Sequence, residues 1–515
     1  MDFMIFATVI LAIYFVLWFF DSFFKSCMHY PYEAFLNGTG LTIKPFRIQW
    51  YTTALNRITI KWAHAYPKLF TLSFDIGVFS SICLLPIMLL WQMKPYIVDA
   101  FTSTVKTMSS SGVIAAVPAS AESTNAKGGV HFELMLPGVN LPFDEISYYV
   151  IAMGVCSVVH EMGHAFAAVL EDVPLTGFGF NVLLVLPVAY THINSDQLNS
   201  LRTWRRLRIL CAGIWHNILL AVFCFALMSL LPILFTPFYS IDQSVIVKSM
   251  KSDSPLAGGE KGLAVNDVIT SINGCDIKNI ETWYGCLVNT IKEPPSYCIP
   301  SEYVLDHDES VPVSHTNDGV IECCDRTNEK NLCFEYMNEE GSYSLIELPQ
   351  FMCLNIRNTI DHSMGYCHRT RGKCKDSYCI KPMMNNSTTL MQIKRNDKRD
   401  VMYIGHPSDL AYTIRVSAYV PYTILLNSNV ADGISLILKY LVVFSLGLAT
   451  LNVIPCFYFD GYYITSVTVN HLFQHFIPER NRRECITIAI TSIGTLILFV
   501  TLSKSVWHSI LQYAF

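Results

Sequence analysis

Charged residues are scarce in this sequence. Lysine, arginine, aspartate and glutamate together make up 15% of its 515 residues, whereas about a quarter is usual in soluble domains. Hydrophobic residues make up 52% and the mean hydropathy is +0.35, which is more apolar material than the core of a soluble protein of this length can bury. The shortage of charge excludes an ordinary soluble enzyme and an extended disordered chain, and it predicts a membrane protein.

A basic excess is also lacking. The formal net charge is -5, so the chain has no basic field that would attract nucleic acid. The lipid bilayer is the expected partner, and no nucleic-acid partner is expected.

Long uncharged runs predict where the chain crosses the membrane, because a spanning helix needs roughly 20 apolar residues. The candidate spans are residues 3–20, 76–93, 146–160, 209–241, 440–459, 461–478 and 485–503. A further uncharged run at 173–195 contains two prolines and two glycines. It is therefore predicted to be a re-entrant or strand-like element packed inside the protein.

Basic residues indicate the orientation, since short cytoplasmic loops are enriched in lysine and arginine. They concentrate in residues 21–68, 202–208 and 480–483, which are predicted to face the cytosol. The predicted organisation is an anchor region with a cytosolic loop at 1–95, a luminal serine-containing loop at 96–144, a membrane core at 145–241 and 428–515, and a luminal domain at 242–427.

Cysteine usage tests this orientation independently. Ten of the 17 cysteines fall within the predicted luminal domain, and an even set in an oxidising lumen predicts up to five disulfide bridges of unspecified pairing. The alternative is a zinc knuckle formed by Cys367, Cys374 and Cys379, although their spacing is not a usual ligand pattern. Overlapping acceptor sequences predict glycosylation of the same domain at Asn385 or Asn386.

The start of the luminal domain has a strand-rich pattern. Residues 245–274 alternate short β-branched runs with turn signals, and this stretch resembles a PDZ domain. Alternation at 400–418 predicts returning strands of the same domain. The predicted fold is a polytopic α-helical membrane protein with a luminal PDZ-like, cysteine-rich α+β insert.

One motif in the membrane core carries chemistry. His160-Glu161-x-x-His164 is an HExxH pattern on a predicted helix. Residues four apart share a helix face, so His160 and His164 can bind one metal ion. Glu161 is then close to a water molecule bound to that ion. Ionisable groups cost about 2.5–3.5 kcal/mol each at the centre of a membrane helix. Three of them within five residues therefore demand a compensating partner such as a metal.

Two histidines make an incomplete zinc site, since catalytic zinc generally has three protein ligands. Asp460 is the candidate third ligand, because this acid separates two long uncharged runs and would be costly there without a partner. Other acidic and imidazole side chains are alternatives that are better explained as interfacial or packing residues. They are Glu171, Asp172, His192, His216, His471 and His475.

These motifs resemble those of the site-2 proteases, zinc metalloproteases that cut substrates within the membrane. The resemblance comprises His160-Glu161-x-x-His164, Gly213-x-x-x-Asn217, and Asn452-x-x-Pro455 leading to Asp460-Gly461. The luminal insert lies between the second and third motifs, and the order and spacing cover nearly the whole chain. The early anchors and the serine-containing loop resemble the animal form of the family, which activates membrane-bound transcription factors.

The resemblance implies one zinc ion per chain, held by His160, His164 and Asp460, with Glu161 as the general base. It also implies positions that bind the substrate or line the site, although an asparagine in a membrane helix often only bonds to a neighbouring helix. These positions are Gly213, Asn217, Asn452 and Pro455.

The implied activity is that of a zinc metalloendopeptidase that hydrolyses a peptide bond within a transmembrane segment. A helical substrate must first unwind, and the element at 173–195 is expected to pair with the extended strand. In the family, cleavage releases cytosolic transcription factor domains, such as the sterol-regulatory element-binding proteins, after a first luminal cut. The expected substrates are thus membrane-spanning proteins already cut on the luminal side, with the luminal domain excluding uncut ones, in the Golgi or endoplasmic reticulum.

Two other functions are weighed against a protease. Intramembrane histidine and aspartate residues also line ion paths, so a metal or ion transporter is one alternative. Such a transporter is expected to show pseudo-repeated halves, and no internal repeat is visible. A catalytically inactive membrane scaffold is the other alternative, and the intact motif residues argue against it.

Overall fold

The computed structural model describes residues 2–110, 142–258, 262–315, 321–325, 330–337, 349–367, 374, 377–385, 388–396, 398–423 and 425–514. Helices form along the long apolar runs, and strands form where β-branched and aromatic residues alternate with polar ones. The helices of the described residues are α1 (Asp2–Ser26), α2 (Tyr30–Thr39), α3 (Asn56–Ala65), α4 (Pro67–Ser110), α5 (Ile146–Leu170), α6 (Ser195–Ser200), α7 (Thr203–Phe235), α8 (Ile280–Lys292), α9 (Ser301–His307), α10 (Ile356–Asp361), α11 (Pro407–Thr413), α12 (Ser428–Val453), α13 (Asp460–Phe473) and α14 (Arg480–Ala514).

The strands lie in two parts of the chain, before α7 and between α7 and α12. They are β1 (Leu41–Lys44), β2 (Arg47–Thr52), β3 (Leu175–Leu183), β4 (Leu186–Ile193), β5 (Tyr239–Ser240), β6 (Val245–Met250), β7 (Val268–Ile272), β8 (Cys275–Asp276), β9 (Ser296–Ile299), β10 (Ser314–His315), β11 (Ile321–Glu322), β12 (Asn331–Tyr336), β13 (Phe351–Asn355), β14 (Tyr366–Cys367), β15 (Tyr378–Pro382), β16 (Thr389–Arg395), β17 (Val401–Gly405), β18 (Ile414–Ser417) and β19 (Val420–Pro421).

Contacts divide the chain into two compact units. The first combines Met1–Ser229 with Leu436–Phe515 and is called the membrane unit below. The second is Leu230–Ser435 and is called the insert unit. The insert unit contains the whole of the predicted luminal domain at 242–427, together with the adjoining ends of two long helices.

Six helices in the described part of the chain are long and apolar enough to cross a membrane. They are Met4–Ser26, Pro67–Lys94, Phe143–Leu170, Thr203–Phe235, Ser428–Val453 and Arg480–Trp507. The chain is therefore a multi-pass membrane protein, as its composition predicts.

The predicted spans at 440–459 and 461–478 have the wrong bounds. α12 ends at Val453, because Pro455 has no backbone donor and disfavours helix in the residue before it. α13 has only 14 residues, which is too short to cross a bilayer.

Two other helices extend beyond the uncharged runs that predicted them. α5 runs through the HExxH motif, as predicted, and continues to Leu170, because the residues that follow the motif are apolar and mostly good helix formers. α4 runs on to Ser110, so the first part of the predicted loop at 96–144 is helical. The predicted span ended before Lys94 because that residue is charged, but a single lysine does not end the helix. Residues 111–141 of that loop lie outside the described residues.

The uncharged element at 173–195 forms the hairpin β3–β4, in agreement with the strand-like prediction. β3 also pairs with β2, which gives a four-stranded antiparallel sheet in the order β1-β2-β3-β4. β1 and β2 come from the predicted cytosolic loop, where no strand was predicted. β1 and β2 form a local hairpin, but the partner that joins it to the sheet is remote in sequence, as the pair Trp50 and Phe180 shows.

The insert unit contains two larger sheets. One has the order β17-β16-β7-β6-β18. Both strands from the region 400–418 therefore join this sheet, where β18 pairs with β6 at the start of the domain and β17 pairs with β16. The other has the order β13-β12-β15-β9-β14. The core of the first sheet includes the fully buried Trp283 of α8.

Five disulfide bridges staple the insert unit, as the cysteine count predicts. They are Cys275–Cys286, Cys298–Cys374, Cys323–Cys333, Cys324–Cys353 and Cys367–Cys379. Each member of the alternative zinc knuckle is bonded to another cysteine, so none offers the thiolate that a zinc ligand requires. The zinc knuckle is therefore excluded.

A buried ion pair ties the loop before β7 to the end of β16. Arg395 Nη1 lies 2.8 Å from Asp267 Oδ2, and Lys398 pairs with the other oxygen. Burial alone would raise the pKa of Asp267, but the hydrogen bonds from Lys398 and Arg395 outweigh it and lower the pKa. Removing one partner of such a pair is costly because it leaves a buried charge unpaired.

Candidate active site

α5 places His160 and His164 one turn apart, on the face that packs against α7. Gly163 makes this close approach possible, because a Cβ at that position would lie 2.6 Å from the Ala212 carbonyl oxygen and 2.8 Å from His216 Nδ1. The two motif histidines are only 6% and 8% exposed. The glycine inside the motif therefore has a packing role.

Strand β4 holds α5 at the level of the motif. The Ala189 backbone N–H donates to Ser157 Oγ at 2.7 Å, and Thr191 Oγ1 donates to the Glu161 carbonyl oxygen at 3.1 Å. These contacts fix the helix register beside the histidines, so the sheet is part of the site.

A sharp turn after α12 brings Asp460 to the two histidines. Pro455 follows the end of the helix, and Tyr458 has a positive φ of 72° before α13 begins. Gly461 permits close packing there, because a Cβ would lie 2.8 Å from the Val453 carbonyl oxygen. Asp460 stands in the first turn of α13, where the helix dipole favours a negative charge.

The three candidate ligand atoms form a nearly equilateral triangle. His160 Nε2 lies 3.0 Å from Asp460 Oδ2, His164 Nε2 lies 3.2 Å from the same oxygen, and the two Nε2 atoms are 3.2 Å apart. A tetrahedral zinc ion with bonds of about 2.0–2.1 Å places its ligand atoms roughly 3.3 Å apart. Both the donor set and the spacing therefore fit one zinc ion.

Gly213 of α7 lies against the imidazole rings of both histidines. A Cβ there would lie 2.7 Å from His160 Nε2 and would also contact His164 Nε2. These are two of the three candidate ligand atoms. The structure therefore shows why the first residue of the Gly-x-x-x-Asn motif has no side chain.

Hydrogen bonds to Nδ1 of each motif histidine determine whether its Nε2 is free to bind a metal. His164 Nδ1 lies 2.7 Å from the Ile209 carbonyl oxygen, which only accepts, so Nδ1 carries the proton and Nε2 keeps its lone pair. His160 Nδ1 lies 3.2 Å from Nδ2 of the fully buried Asn217 side chain. The Asn217 Oδ1 atom has no hydrogen-bond partner within the described residues. Rotating the amide by 180° would exchange its oxygen and nitrogen and would place Oδ1 opposite a protonated His160 Nδ1, the tautomer in which Nε2 can bind a metal.

Glu161 lies between the histidine face of α5 and strand β4. Successive residues turn by 100° around a helix, so Glu161 stands roughly 60° from His164. The side chain is half-buried, and within the described residues its carboxylate makes no hydrogen bond or ion pair. The carboxylate is therefore available to a water molecule or a substrate.

Two other predicted site positions have a different environment. Asn452 Nδ2 donates to the Leu448 carbonyl oxygen of its own helix at 3.0 Å, and not to a neighbouring helix. Pro455 lies in the turn before Asp460, where its carbonyl packs against Gly494 of α14. The structure brings Gly213 and Asn217, rather than Asn452, into contact with the histidines.

Within the described residues, the alternatives to the third ligand do not join the triangle of candidate ligand atoms. Asp172, His471 and His475 are exposed. His192 and His216 pack against aromatic rings. Within the described residues, no group of metal-binding atoms includes any of them.

Glu171, the remaining alternative, belongs to an ion-pair cluster that the sequence analysis missed. Its carboxylate is 5% exposed and lies 2.9 Å from Arg208 Nη1 and 2.6 Å from Arg205 Nε. Arg208 Nε also lies 2.6 Å from Asp75 Oδ1, so the cluster joins α4, the end of α5 and the start of α7. Arg208 precedes Ile209, whose carbonyl orients a motif histidine. Asp75, an acidic residue in the apolar helix α4, could have indicated this cluster from the sequence.

The spanning helices, the buried triangle of imidazole and carboxylate atoms, and the neighbouring glutamate together form a candidate metal site within a membrane protein. The profile of peptidase family M50 matches residues 148–499, which is more than half of the chain and includes both histidines and Asp460. The chain belongs to this family, whose members are zinc-dependent in general. The resemblance to the site-2 proteases is thereby confirmed.

A curated relative supports the same family. Over 147 residues the chain is 33% identical to a protein of Arabidopsis thaliana described as a membrane-bound transcription factor site-2 protease homolog. The aligned stretch covers 28% of this chain and 28% of the length of that relative.

Proposed function

We propose that this protein is a zinc metalloendopeptidase that hydrolyses a peptide bond within a transmembrane segment of its substrate, with one zinc ion per chain. The observation that carries the proposal is the triangle of His160 Nε2, His164 Nε2 and Asp460 Oδ2, with sides of 3.0 to 3.2 Å. Such a set among apolar helices would be costly without a metal. Membership of family M50 supports the same activity.

The side chains divide the chemistry between them. His160, His164 and Asp460 would hold a zinc ion, which would act as a Lewis acid that lowers the pKa of water and polarises the substrate carbonyl. The Glu161 carboxylate takes a proton from the attacking water and gives it to the nitrogen of the leaving amine. Asn217 keeps His160 in the tautomer that presents Nε2, as the Ile209 carbonyl does for His164.

The substrate is proposed to unwind and lie extended along strand β4. A helical substrate has its carbonyls hydrogen-bonded and screened, so it must open before attack. β4 ends the four-stranded sheet and pairs only with β3 among the described strands. The Ala189 N–H at this edge bonds to Ser157 Oγ, about one turn before His160. A peptide added to this edge would therefore run close to the catalytic residues.

The insert unit is proposed to be luminal, PDZ-like, and responsible for excluding substrates that have not yet been cut on the luminal side. Five disulfides favour an oxidising compartment, and Asn385 is exposed as glycosylation requires; Asn386 lies outside the described residues. The proposed location is the Golgi or endoplasmic reticulum. The proposed substrates are transcription factor precursors such as the sterol-regulatory element-binding proteins, a class that the name of the Arabidopsis relative supports.

Metal removal tests the proposal. Purified full-length protein in lipid nanodiscs is expected to contain one zinc ion and to cut a single-span reporter, already trimmed on its luminal side, within its membrane segment. Chelation should lower the rate at least about 100-fold, because the ion contributes several kcal/mol to the transition state. Added zinc should restore the rate. Metal analysis and mass spectrometry of the products measure both results.

Other outcomes of this experiment favour other functions. Zinc movement into liposomes without reporter cleavage would indicate a transporter, and a protein with neither zinc nor cleavage would be a scaffold.

A second experiment tests the extended substrate path along the hairpin β3–β4. A photo-crosslinking residue at Leu183 or Val185 should trap the reporter. Normal cleavage after disruption of β4 would count against the extended path.

Substitutions of Asn217 test its role as a hydrogen-bond acceptor. Asn217→Leu removes the acceptor and is expected to weaken zinc binding roughly 10- to 100-fold, the usual cost of losing such a supporting contact. Asn217→Asp keeps an oxygen facing His160 Nδ1–H, so zinc affinity should stay within about threefold of the wild type. Competition with a chromophoric chelator measures both affinities. An aspartate variant as weak as the leucine variant would show that the amide acts as a donor.

A further inference from the structure

An apolar cavity of about 230 Å³ lies between the β-sheet of the membrane unit and α5. Its walls include Trp50 of β2, Phe178 and Phe180 of β3, and Val158 of α5. Glu161 is the one charged side chain that lines it. The cavity is therefore a hydrophobic recess that begins at the proposed general base.

The geometry of α5 connects the cavity to the metal site. At 100° per residue, Glu161 lies roughly 60° around the helix from His164, and Val158 lies roughly 60° further in the same direction. Glu161 thus separates the histidine face from the cavity face. A peptide whose scissile carbonyl lies beside Glu161 would direct a neighbouring side chain into the recess.

The proposed substrate path passes the same place. Ala189 of the edge strand β4 lines the cavity and also carries the backbone N–H that bonds to Ser157. Trp50 is 47% exposed and Val158 is 39% exposed, so the recess is open at the surface of the membrane unit. An extended segment along β4 can therefore place a side chain there without displacing the sheet.

We propose that this recess is the subsite that receives a large apolar side chain of the substrate, next to the scissile bond; the inference rests on the proposed protease function. Aromatic and aliphatic walls favour a branched aliphatic or benzyl group. An acidic side chain would face the Glu161 carboxylate, and like charges repel. A methyl side chain would leave most of the recess unfilled and gain little from burial.

A pair of matched variants tests the subsite. Val158→Phe places a ring in the recess, whereas Val155→Phe makes the same change at a valine that is also 39% exposed, on the same helix, and does not line the cavity. Zinc-loaded full-length protein in nanodiscs is given single-span reporters that differ only in one residue on either side of the scissile bond, leucine or alanine. Zinc content is measured for each variant, so that misfolded protein is recognised.

The measured quantity is the ratio of kcat/KM for the leucine reporter to that for the alanine reporter. In the wild type this ratio should exceed roughly tenfold on one side of the bond, as expected for a hydrophobic pocket. Val158→Phe should lower it at least about fivefold, and Val155→Phe should leave it unchanged. A second variant, Phe180→Leu, enlarges the recess and should raise the rate for a tryptophan reporter relative to leucine.

Different failures have different meanings. If the wild type cuts reporters but shows no preference on either side, or if both valine variants shift the ratio equally, the subsite is refuted while the protease function stands. If the zinc-loaded wild type cuts no reporter, the proposed function fails and the subsite fails with it.

Discussion

Replacing Glu161 by glutamine is expected to lower kcat/KM for a single-span reporter by about 10²- to 10⁴-fold while zinc remains bound. The substitution keeps the size of the side chain but removes its ability to accept a proton from water. None of the candidate ligand atoms of His160, His164 or Asp460 changes, so the metal content should stay at one ion per chain. Cleavage assays in nanodiscs and metal analysis of the same sample measure the two effects.

Glu484→Gln is the matched control for this experiment. Glu484 is an exposed glutamate of α14 that pairs with Arg480 one turn earlier, and such surface pairs contribute about 1 kcal/mol or less. Its substitution should change neither rate nor zinc content. Unchanged cleavage in Glu161→Gln would remove Glu161 from the proton transfer. Loss of zinc in that variant would show that Glu161 supports the metal site instead.

The candidate metal site could largely be predicted from the sequence because each of its parts has a local signature. Helical spacing alone places His160 and His164 on one face. Asp460 is remote in sequence, but a carboxylate between two long uncharged runs is costly without a partner. The sequence therefore indicates Asp460 as the candidate third ligand. The structure brings all three together within 3.2 Å. Their roles as ligands remain a proposal that metal analysis can test.

The elements around the site were harder to predict. The strands β1 and β2 lie in a region that was assigned to a cytosolic loop, because its basic residues indicated only its orientation. The strand that joins this hairpin to the sheet, β3, lies more than a hundred residues further along the chain. Trp50, which lines the cavity beside Glu161, was therefore missed. The backbone carbonyl of Ile209 was missed for another reason, since any residue type supplies a carbonyl and its position depends only on the packing of α7 against α5.

For the disulfides, the sequence predicted the number of bridges but not their pairing. The even number of cysteines in the insert predicted the five bridges, because composition reports the redox compartment. It did not specify the pairing, since ten cysteines allow many combinations. Cys298–Cys374, for example, joins residues 76 apart in the sequence, and such a pairing depends on the long-range folding of the chain.

Replacing Gly213 by alanine adds only one methyl group but is expected to weaken zinc binding and cleavage strongly. The new Cβ would lie 2.7 Å from His160 Nε2 and would also contact His164 Nε2, where bound zinc must hold both nitrogens in place. Zinc affinity should fall at least roughly 10- to 100-fold, and cleavage should fall at least about 100-fold, as expected for a misplacement of about 1 Å. Competition with a chelator and the reporter assay measure these effects.

Gly447→Ala is the control, because a Cβ on this glycine of α12 meets no atom within 4 Å. General overpacking of the helices must also be distinguished from a specific effect on the metal site. Without zinc, the imidazole rings of His160 and His164 can rotate away from an alanine at 213, whereas bound zinc fixes them. Since a ligand stabilises only the state that binds it, the gain in Tm on adding zinc should shrink in Gly213→Ala while the chelated proteins unfold at similar temperatures. An equal loss of Tm with and without zinc would instead mean that Gly213 serves helix packing alone.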